Sequence, residues 1–117
     1  MRKSGRLREV WDQWHHFNRT FFGGKLSPPR VIRITSAQKY QGYISYLPEK
    51  LDTPVAIFLS THQSRHSMTG TLLHEMVHQY QREVLRQHFL EHDALFRCFA
   101  AHIERRTGFV VRTNRLD

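Results

Sequence analysis

The 117-residue sequence contains one cysteine, no long apolar run and few acidic residues. The lone thiol, Cys98, excludes an internal disulfide framework and any zinc site built from several cysteines. Since chains without disulfides are typical of reducing compartments, we expect a cytoplasmic protein, nucleoid-associated or, in a eukaryote, nuclear. No apolar stretch approaches the roughly 20 residues that span a bilayer, and the basic N-terminus lacks the apolar region of a secretory signal. The sequence thus predicts no membrane segment.

The scarcity of acidic residues leaves a strong positive charge, because 18 Lys and Arg residues stand against 10 Asp and Glu residues, a formal net charge of +8. Such a charge favours polyanionic partners such as DNA or RNA. The arginines are scattered along the chain, and solvated arginines on a small basic protein without any such partner are the simpler alternative. Contact with nucleic acid is therefore a prediction from charge alone.

Aromatic and aliphatic residues are plentiful enough for a folded core, so we expect a monomer with one domain over residues 1–117. Three segments rich in β-branched or aromatic residues predict strands at 31–36, 40–46 and 54–60. The third is mostly apolar and is expected to be central. Gly42 favours a bend or bulge in the second strand.

Apolar residues three or four positions apart predict an amphipathic helix over 6–22 and a second helix from about 70 to 85. A third helix is expected to begin near Asp93, a suitable N-cap. The segment FVVRTNRLD is a tail that could add a strand. Helices and strands in this order define an α+β fold class. The third helix is predicted to direct four apolar side chains inward: Leu95, Phe96, Phe99 and Ile103.

The segment HEMVH, residues 74–78, lies inside the second helix. Because positions i and i+4 share a helix face, His74 and His78 can direct two imidazoles at one ion. Glu75 is turned about 100° from the first ligand, where it reaches a metal-bound water rather than the metal. This is the division of labour in HExxH zinc peptidases, with two ligands and one general base. The alternative is a helix whose polar face carries these three residues by chance.

A catalytic zinc ion needs a third protein ligand and one open position. The metzincin continuation is excluded, since it would require glycine at 81 and histidine at 84. Four downstream residues remain as candidates: His88, Glu91, His92 and His102. Of these, His92 stands at the start of the third helix, a rigid place from which to present a ligand, and His88 is the next choice.

The segments TLLHEMVHQY (71–80) and HDALF (92–96) resemble the active-site helix and the later third-histidine segment of the SprT-like, or Spartan-type, zinc metalloproteases. The N-terminal FNRTFFGGKLSPP (17–29), GYISY (42–46) and IFLS (57–60) are similar to further segments of that family, in the same order. The resemblance covers roughly residues 10–105.

This resemblance implies that His74, His78 and His92 bind one zinc ion per chain and that Glu75 is the general base. It implies a minimal zincin-like domain with an N-terminal helix, a small three-stranded sheet, an active-site helix and a C-terminal helix. It also implies that a protein substrate lies extended along a strand. The substrate-binding residues predicted on this basis are Gly42, Tyr43 and Tyr46.

Spartan-type proteins are associated with the cleavage of proteins crosslinked to DNA, which suggests a zinc endopeptidase acting on DNA-associated proteins in DNA repair. This chain lacks the cysteine-rich zinc module with which many relatives bind DNA, and it carries Asp93 where the family usually has glycine. The basic C-terminal part could substitute for the module. The predicted nucleic-acid contacts are Arg105, Arg106, Arg112 and Arg115.

Two questions stay open at the level of sequence. The chain could instead be a basic nucleic-acid-binding module with an inactive or structural zincin core, although Glu75 would then have no purpose. A metallopeptidase directed at one specific partner protein is a further alternative. The group that stabilises the transition state opposite Glu75 is not identified either. Chemically able side chains are Tyr43, Tyr46, Tyr80, His62 and His66.

Overall fold

The computed structural model describes residues 5–112, which form three helices and three strands. Helix α1 spans Gly5–Phe21, α2 spans Arg65–Glu83 and α3 spans Ala94–Thr107. Strand β1 spans Val31–Thr35, β2 spans Gly42–Ser45 and β3 spans Ala56–Ser60. The α+β class predicted from the sequence is confirmed. No helix within the described residues is long and apolar enough to cross a membrane.

The three strands form one mixed sheet in the order β1-β3-β2. β3 pairs in parallel with β1, with Ile32 opposite Ile57, and antiparallel with β2, with Ile44 opposite Ile57. The predicted central position of the apolar third strand is confirmed, because β3 is hydrogen-bonded on both sides. β2 is an edge strand of this sheet.

The helices pack on one face of the sheet, where alternate residues such as Ile57 and Leu59 are fully buried. Trp14 of α1 is also fully buried, and its indole Nε1 donates a hydrogen bond to Gln79 Oε1 of α2 at 3.1 Å. An indole buried with its N–H satisfied removes a large apolar area from water without leaving a donor unpaired. This contact fixes α1 against the middle helix.

Helix α2 begins at Arg65, five residues before the start predicted at Gly70. Ser64 is the N-cap, and its side chain accepts a hydrogen bond from the Ser67 backbone N–H at 3.0 Å. Arg65 and His66 are exposed, so this first turn shows no apolar periodicity and the boundary prediction was wrong. The capping serine was the available signal, since a serine oxygen satisfies a donor that the helix start leaves open.

Helix α3 begins after Asp93, whose Oδ1 accepts a hydrogen bond from Phe96 N at 2.9 Å, so the predicted N-cap is confirmed. Phe96 and Ile103 are buried as predicted, and Phe99 packs against the core, but Leu95 is 52% exposed. The inward prediction for Leu95 was wrong because residues 95 and 96 point about 100° apart on a helix, and only the Phe96 face meets α2.

Two expectations about irregular backbone are met only in part or not at all. Residues 109–112 add no strand, since the backbone N–H groups of Val111 and Arg112 donate to Glu104 Oε2 at 2.7 and 2.8 Å; residues 113–117 of the predicted tail lie outside the described residues. The pairing of β2 is regular at Gly42, so there is no bulge, although the chain bends at Gln41, directly before the strand. Glycine stands there for a different reason: a Cβ would come within 2.5 Å of the Thr71 side chain on α2. A Cβ at Gly70 of α2 would likewise clash with the Val110 carbonyl, so the tail and β2 both approach α2 closely.

A buried arginine ties the turn after β2 to α2. The Arg82 side chain is fully buried, donates to the Lys50 carbonyl and donates to Thr53 Oγ1 at 3.1 Å. Its guanidinium lies 5.4 Å from the centroid of the Tyr46 ring, a distance at which a cation is attracted to the ring face. The end of β2 is therefore held at the C-terminal half of the helix.

Candidate metal centre

Helix α2 carries His74 and His78 on one face, and both are buried, with 0% and 2% of their surface exposed. Their ring centroids lie 5.0 Å apart, as expected for side chains separated by one helical turn. Most of this helix is buried, because the sheet, α1 and α3 all pack against it. The two imidazoles are consequently presented by a segment that has little freedom to move.

His92 completes a cluster of three histidines. It lies in the segment between α2 and α3, directly before the N-cap Asp93. His92 Nε2 is 3.1 Å from His74 Nε2 and 3.1 Å from His78 Nε2. Two nitrogens bound to a tetrahedral zinc ion at 2.0–2.1 Å would be separated by about 3.3 Å. The spacing of the three atoms therefore fits a metal ion, and these residues could hold one.

The hydrogen bonds on the far sides of two imidazoles fix which nitrogen carries the proton. His74 Nδ1 lies 2.6 Å from the Val111 carbonyl oxygen, and His78 Nδ1 lies 2.7 Å from Gln81 Oε1. A carbonyl oxygen only accepts, so each Nδ1 must be the donor. Each Nε2 then carries a lone pair, and the lone pairs of both helix histidines meet beside His92. This is the tautomer that a metal ligand requires.

Phe96 forms an apolar wall of the cluster. This side chain is 1% exposed, and its ring centroid lies 4.9, 4.5 and 4.8 Å from those of His74, His78 and His92. An apolar group on this side limits the access of water and leaves the imidazoles in a medium of low dielectric constant, where their interaction with a cation is stronger. Any side of the cluster that is open to solvent must therefore face away from Phe96.

Glu75 follows the first histidine and is fully buried. It lies one turn after Thr71, the residue that packs against Gly42 of β2. A carboxylate at this position of the helix is on the β2 side, whereas Phe96 belongs to α3. The helix thus presents two nitrogen ligands and, beside them, one group capable of accepting a proton.

The other candidates for the third ligand do not join the cluster. His88 is exposed and its Nδ1 donates to the Pro48 carbonyl at 2.7 Å. Glu91 has an exposed side chain, and His102 is exposed on α3. Cys98 is exposed as well. Only His92 among them reaches the two helix histidines.

The predicted substrate strand is the edge strand β2, but its side chains divide between two faces. Gly42 faces α2, where Thr71 covers it. Since side chains alternate along a strand, Tyr43 lies on the opposite face, stacked on Phe58 with ring centroids 4.6 Å apart. Tyr46 is on the helix face, where its hydroxyl accepts from Leu90 N at 3.2 Å. The ring of Tyr43 is therefore turned away from the face that carries the histidines.

Three other side chains considered for transition-state stabilisation also have defined surroundings. Tyr80 packs in the core, with its ring 6.0 Å from that of Phe22 and 5.1 Å from that of Phe99. His66 contacts Phe109, and His62 is exposed. This packing excludes Tyr80 as the group that stabilises the transition state.

The predicted nucleic-acid residues differ in their surroundings. Arg105 and Arg106 are exposed in the last turn of α3. Arg112 instead pairs with Glu104, with Nε 2.8 Å from Oε1. Arg115 lies outside the described residues. All three of these arginines within the described residues thus have exposed side chains, and that of Arg112 is in addition paired with a carboxylate.

Two contributors to the cluster were missed at the sequence level. Gln81 appeared only as the residue that excludes a metzincin, and the Val111 carbonyl was not considered. Gln81 could have been found from its spacing, since it lies three residues after His78 on the same helix face. A backbone carbonyl 37 residues after its partner His74 gives no signal in the sequence.

A helix-borne histidine pair, a third histidine from a downstream segment and a buried glutamate beside the first form the arrangement of a zincin-type protease fold. A model of the SprT-like family matches residues 11–115, and the chain belongs to this family. The resemblance inferred from the sequence is thereby confirmed. The SprT-like family is associated with zincin-like metallopeptidases. No curated protein matches the chain.

Proposed function

We propose that this protein is a zinc-dependent endopeptidase in which His74, His78 and His92 hold the metal and Glu75 is the general base. The observation that carries the proposal is the convergence of three Nε2 atoms, at 3.1 Å from His92 to each helix histidine, beside a fully buried glutamate. When bound, zinc acidifies water and polarises the scissile carbonyl. Glu75 accepts the proton from the attacking water and delivers it to the leaving amine.

Three protein ligands favour a catalytic site over a structural one. Structural zinc sites are closed by four protein ligands, whereas catalytic sites keep one position open. The described residues bring three histidines together at this point, and the one thiol of the chain, Cys98, is exposed on α3. This supports the enzyme over a binding module with a structural metal core.

The edge strand β2 supports an extended substrate. Ser60 N donates to Gln41 O at 2.8 Å, so residues 41, 43 and 45 hydrogen-bond to β3. In an antiparallel pair the intervening residues direct their N–H and C=O groups the other way. Gly42 and Ile44 would therefore bind the substrate main chain by strand addition. Gly42 would thus bind the substrate through its main chain. Tyr43, whose ring stacks on Phe58, and Tyr46, whose ring lies beside Arg82, would instead support the conformation of the strand.

A cavity of about 320 Å³ beside this strand would accept a substrate side chain. It is lined by residues that include Gln41, Ser67, Thr71 and Val110. Thr71 lies one helical turn before Glu75, so the cavity adjoins the proposed reaction centre. The described residues that line it include no carboxylate, which favours a neutral or polar side chain rather than a cationic one.

DNA-associated or DNA-crosslinked proteins are the substrates we propose. The support is the net charge of +8 and the exposed Arg105 and Arg106 at the end of α3. Arg112 would contribute less, since Glu104 already neutralises it. A role in DNA repair and a cytoplasmic, monomeric state follow as part of the same proposal. Replacing Arg105 and Arg106 with serine should weaken single-stranded DNA binding and lower its salt dependence by about 0.7 per lost phosphate contact.

The decisive test compares Glu75→Gln with Glu83→Gln, a substitution of the other glutamate on α2. Casein or histone cleavage is measured with and without single-stranded DNA, together with zinc content. We expect Glu75→Gln to bind zinc but to cleave about 10²–10⁴-fold more slowly, and Glu83→Gln to cleave as the wild type does. Undiminished cleavage by Glu75→Gln would refute the assigned base. Zinc binding by the wild type without cleavage under any condition would instead favour the binding module.

A further inference from the structure

Gln81 is a buried amide that touches two parts of the candidate metal centre. Its side chain is 1% exposed and lies near the C-terminal end of α2. Oε1 is 2.7 Å from His78 Nδ1, and Nε2 donates to the Glu91 carbonyl at 2.8 Å. A weaker contact joins Nε2 to Asp93 Oδ1 at 3.4 Å. Glu91 and Asp93 are the two chain neighbours of His92.

The orientation of this amide follows from its partners. The Glu91 carbonyl can only accept a hydrogen bond, so the group that faces it must be the NH₂ of Gln81. The amide oxygen then faces His78, and because it only accepts, His78 must carry its proton on Nδ1. One amide group therefore sets the tautomer of a helix ligand and, at its other end, the position of the segment that carries the loop ligand.

We propose that Gln81 is a positioning residue that couples His78 and His92, so that the three nitrogens are arranged before the metal binds. The inference rests on the proposed metallopeptidase function. Outer contacts of metal-binding histidines are worth about 10–100-fold in metal affinity where they have been removed. Gln81 differs from such a contact in serving two ligands at once. Replacing Gln81 should therefore lower the metal affinity by a factor at the upper end of that range.

Gln79 provides a matched control on the same helix. It is fully buried, accepts from Trp14 Nε1 at 3.1 Å and donates to the Ser27 carbonyl at 2.7 Å. Both ends of this amide are thus satisfied by groups that do not ligate the metal. Gln79→Met and Gln81→Met remove equivalent buried amides two residues apart. A difference in metal affinity between them cannot come from the loss of a buried amide as such.

The experiment measures zinc affinity by competition with a chelator, and the visible spectrum of the Co²⁺-substituted protein, for the wild type and both methionine variants. We expect zinc to bind about 100-fold more weakly to Gln81→Met and its cobalt spectrum to lose intensity. For Gln79→Met we expect an affinity within about threefold of the wild type, a smaller change than the loss of one hydrogen bond to a metal-binding histidine causes, even where its melting temperature falls. Equal affinities of the two variants would overturn the proposal.

Gln81→Glu keeps the inference testable if the methionine variant does not fold. A carboxylate still accepts from His78 Nδ1 but cannot donate to Glu91 O and lies against Asp93. We expect the His78 tautomer, read from imidazole ¹⁵N shifts, to be retained while zinc affinity falls by about tenfold. Wild-type affinity in this variant would refute the link to His92. A wild-type protein that binds no zinc would refute the proposed function instead, and the ¹⁵N shifts of metal-free protein would still report on Gln81.

Discussion

The three histidines of the centre come from two regions that differ in how they are held. His74 and His78 lie on α2, which is buried along most of its length, whereas His92 is half-buried in an irregular segment between two helices. Helix geometry places the first pair on one face of α2. The position of the third ligand depends on hydrogen bonds within its own segment, which include those from Gln81 to Glu91 O, from Arg97 to the His92 carbonyl, and the cap at Asp93. Local geometry therefore provides two ligands, and tertiary contacts provide the third.

The largest expected effect is on metal binding when one ligand is removed from each region. His92→Ala leaves the preformed helix pair, whereas His78→Ala leaves one helix ligand and a loop ligand that have no common support. We expect both variants to lose the tight site, and His78→Ala to bind zinc at least about tenfold more weakly than His92→Ala, a difference of about 1.4 kcal/mol. Isothermal titration with zinc tests this. The reverse order would show that the loop, not the helix, organises the site.

The next effect concerns the close contact between α2 and the C-terminal segment. A Cβ at Gly70 would clash with the Val110 carbonyl, next to the residue that accepts from His74. We expect Gly70→Ala to cost about 1–3 kcal/mol of unfolding free energy, the usual range for an overpacked site, and to weaken zinc binding. Gly5→Ala is the control, since nothing lies within 4 Å of its added carbon. Urea unfolding of both variants should separate them, and equal stability would contradict the packing argument.

A smaller loss of stability is expected when a helix cap is removed. One cap lies on the helix that carries His74 and His78, and the other lies beside His92. Asp93 caps α3 beside His92, and Ser64 caps α2 ten residues before His74. Replacing either with alanine should cost about 1 kcal/mol. Only Asp93→Ala should also weaken zinc binding, because the cap fixes the backbone next to the ligand. Zinc titrations of both variants check this, and equal affinities would show that His92 is held independently of the cap.

The smallest effect is a dependence of stability on pH through Glu104. Burial raises the pKa of this carboxyl, but the Arg112 and Val111 backbone donors and the Arg112 side chain outweigh burial, so the pKa lies below its ordinary value of 4.5. A lowered native pKa stabilises the fold above the ordinary pKa, and that stability is lost as the pH falls through the native value. Glu104→Gln should therefore cost about 1 kcal/mol at pH 7 and progressively less below about pH 4. Urea titrations of the metal-free protein across this range should show the two curves converging; a constant difference would mean that the charge is not involved.

The difference between the helix-borne histidines and His92 also explains which features could be predicted from the sequence. The spacing of His74 and His78 follows from helix periodicity, and the structure has them on one face as expected. The pattern of apolar residues likewise predicts the α+β class and the central position of the third strand. His92 was one of four candidates by spacing alone, because the segment that carries it has no periodicity. The Val111 carbonyl acts across the fold and leaves no local pattern, whereas Gln81 combines a local spacing from His78 with contacts to the His92 segment that no periodicity predicts.

The bond between His74 and Val111 also has a consequence for biosynthesis. The two residues are 37 positions apart, so on a ribosome that adds roughly 5–20 residues per second Val111 is polymerised about 2–7 s after His74. During that interval the HEMVH segment exists without the acceptor that orients His74, and for about the first half of it without His92. The nascent chain is thus unable to assemble the centre until nearly all of the described residues have been made. The order of synthesis alone therefore delays the assembly of the three-histidine cluster until late in translation.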